Sequence, residues 1–145
     1  RFDSSRDRTV GYRRALAEAG VPERPEYVRE GTQSRHLARS IAEELLRLPE
    51  PPTAIFAASD TQALGVLEAA RGLGVDVPGE LSVVGFDDIE IASYVGLTTI
   101  RQPLFESGRR GAELLLGALG GSPPPAQVET LTLDLVVRGT TRPPR

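Results

Sequence analysis

Thr53-Ala54-Ile55-Phe56-Ala57-Ala58-Ser59-Asp60 and Leu81-Ser82-Val83-Val84-Gly85-Phe86-Asp87-Asp88 are the two stretches whose reading decides the fold. Each is a short, nearly continuous apolar run that ends on hydrophilic residues. Pro49, Pro51 and Pro52 precede the first, and Gly74 and Pro78 precede the second. A strand with one wet face alternates apolar and polar residues; an unbroken run fits a strand covered on both faces, as in a parallel sheet. Between the runs, Ala63, Leu64, Leu67 and Ala70 follow helical spacing, with Ser59-Asp60 as the cap and Gly74 as the stop. Strand, helix and strand in that order predict a βαβ unit with a right-handed crossover.

Working outward, Tyr12, Ala15, Leu16 and Ala19 predict a helix over about residues 5–19, after cap candidates Asp3, Ser4 and Ser5. A short strand is predicted at Glu26–Arg29, then a loop at Gly31–Ser34 and a helix carrying Leu37, Ile41, Leu45 and Leu48. Downstream, Leu97–Ile100 reads as a short strand, and Phe105, Gly108, Ala112, Leu115 and Leu119 as a helix. Gly120–Pro125 is a breaker-rich linker. Leu131, Leu133, Leu135 and Val137 alternate as a strand with one buried face, and the tail Gly139–Arg145 is expected to be loosely ordered. The fold class is therefore α/β, a doubly wound parallel sheet. Only Arg1-Phe2-Asp3 precedes the first helix, so the sheet is expected to be truncated at the N-terminus, its first strand lying upstream.

The chain has 145 residues, 39% of them hydrophobic and 26% charged, within the range of an ordinary globular domain. No apolar run approaches the roughly 18 residues of a membrane span. There is no Cys, which excludes disulfides and thiolate metal sites. All 17 basic residues are Arg, and the net charge is −3. A module that grips nucleic acid carries a basic excess to displace counterions from phosphate, so this stretch is not expected to read DNA itself.

In an open parallel sheet, ligands bind beyond the C-terminal ends of the strands. The residues predicted at that rim are Ser4, Arg6, Asp7 and Arg8, then Thr32 and Gln33, Ser59 and Asp60, Asp87 and Asp88, and Arg101 and Gln102. Carboxylates, guanidiniums, amides and hydroxyls together suit a sugar or purine, whose adjacent hydroxyls need charged acceptors and planar donors. Each group also has a plain structural reading: Ser59-Asp60 can simply cap a helix, and Asp87-Asp88 can be a solvated loop. It is the convergence that favours a ligand.

Enzyme signatures are missing. The single His, His36, stands at a helix start; there is no G-x-S-x-G elbow and no P-loop. Gly72-Leu73-Gly74 lies at the end of a helix and lacks the third glycine of a dinucleotide fingerprint. One His and no Cys argue against zinc. Adjacent Asp87 and Asp88 on an extended segment point opposite ways and do not share one reacting bond. No cofactor and no metal are expected.

Several stretches resemble the C-terminal segment of the LacI/GalR family of transcription regulators. Arg8–Gly20, RTVGYRRALAEAG, is similar to that family's R-x-x-G-[FY]-x-x-A-L-x-x-A-G pattern. Ala54–Asp60 with Ala63-Leu64-Gly65, then LSVVGFDD at Leu81–Asp88, LTTIRQP at Leu97–Pro103 and the ending LVVRGTTRPP continue the likeness over essentially the whole chain. The resemblance implies a periplasmic-binding-protein-like effector domain of two lobes, of which residues 1–103 would form most of the second. Residues 104–138 would cross back to pack on the first, and 139–145 would be a tail. It implies a sugar or related effector, a cytoplasmic homodimer with Leu64 near its interface, and operator DNA reached only through an N-terminal headpiece outside this chain. Effector contacts would fall to Arg8 and Asp87, with Asp60, Ser59, Ser4 and Gln33 around them, and Gln102 is added to the ligand set by its place at the strand end. Gln33 stands where several members carry a stacking aromatic, which puts that stacking in doubt here. The rival reading is a periplasmic sugar-binding protein of a transport system; the VVRGTT ending favours the regulator. Without the first lobe, the helix and strand of 104–138 are expected to fold back, swap between chains or present an apolar patch.

Overall fold

A computed structural model describes residues 3–121 and 129–144, the side chains of residues 3–5 excepted. The helix α1 (Asp3–Glu18) is followed by a 3-10 turn at Pro25–Tyr27, α2 (Arg35–Leu46), β1 (Ala54–Phe56), α3 (Asp60–Leu73), β2 (Ser82–Asp87), α4 (Glu90–Tyr94), β3 (Thr98–Arg101), α5 (Leu104–Leu119) and β4 (Asp134–Val136). The sheet order is β1-β2-β3-β4, with β1, β2 and β3 parallel and β4 antiparallel to β3. This is the open, parallel-dominated α/β sheet that the two apolar runs predict.

The core is built where α3 lies against the sheet. Ala63, Val66, Ala69 and Ala70 of α3 meet Leu81, Val83 and Leu97, with Ala42 of α2 and Ala92 of α4 closing the cluster. Fully burying Leu81 or Leu97 contributes about 2 kcal/mol each. Small residues dominate because the layers approach closely. At Gly65 an added Cβ would fall inside contact distance of the Arg35 carbonyl and lie 2.9 Å from the Arg39 nitrogen, so α2 and α3 touch backbone to backbone there. Local chemistry sets the helix limits. Ser34 Oγ accepts from the Leu37 N–H at 3.3 Å, Ser59 Oγ from the Gln62 N–H at 3.3 Å, and Gly74 ends α3 at φ 72°.

In five places the structure departs from the sequence reading. Glu26–Arg29 is no strand: Pro25 opens a 3-10 turn, and Tyr27 Oη donates to the Glu50 carbonyl at 2.6 Å. β1 is not covered on both faces; it is an edge strand of this sheet, and Phe56 is 41% exposed. α4 carries no periodic apolar signal in its five residues and escapes sequence reading. β4 pairs with β3, but of the predicted buried face Leu133, Leu135 and Val137 are exposed and only Leu131 is half-buried.

The tail is the fifth. Thr140 is 5% exposed and sits between the beginnings of β2 and β3: its backbone oxygen accepts from the Val83 N–H at 2.8 Å, its Oγ1 donates to the Val83 carbonyl at 2.7 Å, and Oγ1 accepts from the Thr98 N–H at 2.9 Å. Thr141 pairs with the Thr98 hydroxyl, and the Gly139 N–H with the Gly96 carbonyl. The tail satisfies strand groups that would otherwise be buried without partners, which orders it from Gly139 to Thr141.

α5 buries no residue; Phe105 is 87% exposed, and Leu104, Leu115, Leu116 and Leu119 are exposed with it. Within this chain α5 and β4 therefore leave an apolar surface exposed. Ser122–Pro125 of the predicted linker and the start of the predicted strand at 128 lie outside the described residues.

Replacing Gly65 with Ala should force α2 from α3 and destabilise the fold by about 2 kcal/mol. Chemical denaturation reads this as a lower midpoint at unchanged slope, whereas an unchanged midpoint would mean the helices have room to part.

Candidate functional site

The C-terminal ends of the parallel strands gather the chemistry. β2 ends at Asp87, whose φ is 115°, and Asp88 follows at φ 55°; two successive left-handed residues turn the chain sharply out of the sheet. Gln102, just beyond β3, donates through Nε2 to Asp87 Oδ1 at 2.6 Å. Arg8 reaches over from α1: its guanidinium carbon stands 3.8 Å from the centre of the Phe86 ring, and Nη1 donates to the Ala58 carbonyl at 3.1 Å. The flat guanidinium is thus held on an aromatic face, with its charge acting on Asp87. Burial is the largest influence on Asp87 and pushes its carboxyl above the ordinary aspartate range. The Gln102 hydrogen bond and the Arg8 charge oppose that rise, and the Asp60 charge adds to it.

Of the seven residues expected at a ligand, the structure brings three together: Arg8, Asp87 and Gln102. Ser59 and Asp60 are buried and serve the fold. Asp60 is 0% exposed, its Oδ1 accepting from Thr99 Oγ1 at 2.5 Å and its Oδ2 from the Ile89 N–H at 2.9 Å. An added Cβ at Gly85 would collide with Asp60 Oδ1, so that glycine makes room for the carboxylate. Both Asp60 oxygens are thus engaged within the fold, and Ser59 makes the helix-capping hydrogen bond. Gln33 is exposed in the loop before α2, which Gln62 Nε2 ties to α3 through the Thr32 carbonyl at 2.9 Å. Ser4 falls within α1, and its side chain lies outside those described.

Two participants were missed. Phe86 was counted with the apolar run, and its rim position shows only in three dimensions. Arg138 was placed at the end of the final strand, 50 residues from Asp88, yet its Nη2 donates to Asp88 Oδ1 at 2.7 Å. Arg101 Nε donates to Asp88 Oδ2 at 2.6 Å. Burial alone would raise the Asp88 carboxyl, but hydrogen bonds and charge from Arg138 and Arg101 together hold it below the ordinary range. The neighbouring aspartates are thus displaced in opposite directions.

Residues 1–141 match the periplasmic binding protein-like domain model. The HTH-type transcriptional repressor CytR of Escherichia coli K12 is 38% identical over 137 residues, covering 93% of this chain and 40% of CytR. A LacI-family regulatory protein from Chloroflexus aggregans superposes with a TM-score of 0.89 at 33% identity, covering 94% of this chain and 50% of that one. A LacI-family regulator from Arthrobacter sp. FB24, solved in complex with lactose, superposes with a TM-score of 0.69 at 35% identity, over 75% of this chain and 42% of that one. The chain belongs to the periplasmic binding protein-like domain family, and its relatives are LacI-family transcription regulators. It spans about 40% of the length of the curated relatives it matches. Among the described residues, no helix is long and apolar enough to cross a membrane.

Two consequences can be measured. Asp60→Ala strands the Thr99 hydroxyl and the Ile89 N–H and should cost about 3 kcal/mol of stability; a loss below about 0.5 kcal/mol, the level of a surface substitution, would show the carboxylate to be dispensable. Asp88, depressed in the folded state, stabilises the fold fully above the unfolded aspartate value of about 3.9 and ceases to do so as pH falls through its lower folded value. The stability gap between the native protein and Asp88→Asn should therefore be flat near neutrality and close in acid; a gap independent of pH would contradict the ion network.

Proposed function

We propose that this chain is the effector-sensing part of a DNA-binding transcription regulator, that the effector is a sugar or related polyhydroxy molecule, and that it binds without being transformed. The observation that carries this is the convergence of Arg8, Asp87 and Gln102 at the C-terminal rim of the parallel strands. An aspartate carboxylate accepts from adjacent hydroxyls, a guanidinium and an amide supply planar donors, and no nucleophile with a neighbouring base stands among the three. The repressors and regulators among the relatives support a regulator over a periplasmic transport protein, and the lactose complex of the Arthrobacter regulator supports a sugar.

In this reading residues 1–103 form most of the second lobe of a two-lobed domain. The exposed apolar residues of α5 and β4 are the face that residues 104–138 turn to the first lobe, and the tail returns to the second. An effector between the lobes favours one lobe arrangement through its differential affinity, and in a cytoplasmic homodimer this alters the spacing of N-terminal headpieces on operator DNA.

The test is made on the full-length protein. A thermal-shift screen of mono- and disaccharides and nucleosides should find a ligand that raises the melting temperature. Asp87→Ala should weaken that ligand about 10- to 100-fold, the worth of hydrogen bonds to a charged acceptor, and leave operator binding intact. Because burial raises Asp87, affinity should already fall in mild acid, above the pH at which an ordinary aspartate protonates. Undiminished binding in Asp87→Ala would refute the assignment.

A further inference from the structure

We infer that Asp88, clasped between Arg101 and Arg138, is a positioning residue that aims the Asp87 carboxylate at the ligand. This rests on the reading of Arg8, Asp87 and Gln102 as the binding cluster.

The backbone poses the problem. Asp87 and Asp88 both have positive φ, 115° and 55°, and neither is glycine. Such conformations persist only where the surroundings over-determine them. The turn is pinned at two successive points. At Ile89, the backbone N–H is held by buried Asp60 at 2.9 Å. At Asp88, each carboxylate oxygen takes one arginine, Arg101 at 2.6 Å and Arg138 at 2.7 Å. Arg138 is itself anchored, with Nη1 donating to the Leu97 carbonyl at 2.7 Å and its backbone N–H to the Thr98 hydroxyl at 2.9 Å. Asp88 is therefore fastened to β3 from both of its oxygens, and it does not face the Asp87 carboxylate.

The consequence for Asp87 follows from the order of residues. Asp87 and Arg101 are register partners across β2 and β3. One step further along each strand, the partnership crosses: Arg101 takes Asp88 and Gln102 takes Asp87. Arg101 and Gln102 thus hold the two aspartates apart, with the Asp87 carboxyl on Gln102 and within the field of the Arg8 charge. The two arginines also lie at the end of β3 and just after β4. Contact at Asp87 is thereby joined rigidly to both strand ends that flank α5.

The test reads the Asp87 carboxyl directly, by carbon NMR of aspartate-labelled full-length protein across pH, its signal identified by its loss in Asp87→Asn. The charged and polar groups that face it are Arg8 from α1, Asp60 from α3 and Gln102 after β3. In the native protein Asp87 should titrate above about 3.9. Asp88→Asn keeps the shape and the tolerance of left-handed backbone, but it can accept from only one arginine. It should release the turn and move the Asp87 titration down toward about 3.9 as the carboxyl becomes solvated. Arg101→Gln and Arg138→Gln should each move it the same way, and they decide the matter if Asp88→Asn fails to fold. A lower melting temperature with an unmoved Asp87 titration in these variants would overturn the inference, because a purely structural ion network would do just that. The two readings fail separately. Full ligand binding by Asp87→Ala removes the ligand assignment whatever Asp88 does. An unmoved titration alongside lost binding in Asp87→Ala removes only the positioning role.

Discussion

The carboxylate of Asp60 is the constraint around which the strand ends are arranged. It stands in the first turn of α3, where the exposed N–H groups of the helix favour an anion, and it is wholly buried. A buried charge is tolerated only when its oxygens are occupied, so Thr99 of β3 and the Ile89 N–H after β2 have to arrive together. Gly85 leaves the room this needs. One side chain thus ties the start of α3, the exit of β2 and the middle of β3 into a single corner. The residues with exposed polar groups are carried on the segments it joins.

That corner separates two kinds of polar residue which look alike in a sequence. Ser59 and Asp60 are consumed in holding the backbone, while Asp87, at the end of β2, keeps a partly buried carboxyl beside Gln102 and the Arg8 charge. The opposite displacements of Asp87 and Asp88 express the same division. One carboxyl is partly buried with few partners, and burial dominates; the other is gripped by two guanidiniums, and attraction dominates. A proposed binding group and a proposed positioning group therefore occupy consecutive positions.

The far end of the sheet shows the same accounting of backbone groups. Thr140 enters between β2 and β3 and satisfies Val83 and Thr98, so a stretch rich in turn formers becomes as ordered as a strand. α5 is the opposite case. Its leucines and Phe105 have strong helical spacing but are largely exposed among the described residues, and the ion pairs of Arg109 and Arg110 with Glu106, Glu113 and Glu129 decorate its polar side. Periodicity makes the helix; it does not supply a surface to bury it.

What the sequence by itself determined is whatever depends on neighbours along the chain. The apolar runs at 53–58 and 81–86 specify strands, the spacing of Ala63, Leu64, Leu67 and Ala70 specifies α3, and Ser59 and Gly74 mark its limits. Strand-end position put Arg8, Asp87 and Gln102 on one rim, and motif likeness singled out Arg8 and Asp87. Tertiary structure alone decided the rest, because it depends on residues distant along the chain. It decided that Asp60 is a buried strut, since that turns on Thr99 and Ile89, 39 and 29 residues away. It placed Phe86 under Arg8, paired Arg138 with Asp88 and buried Thr140. It left β1 on an edge with Phe56 exposed, because an apolar run encodes a preference for cover, and only the assembled sheet determines whether a neighbour is there to provide it.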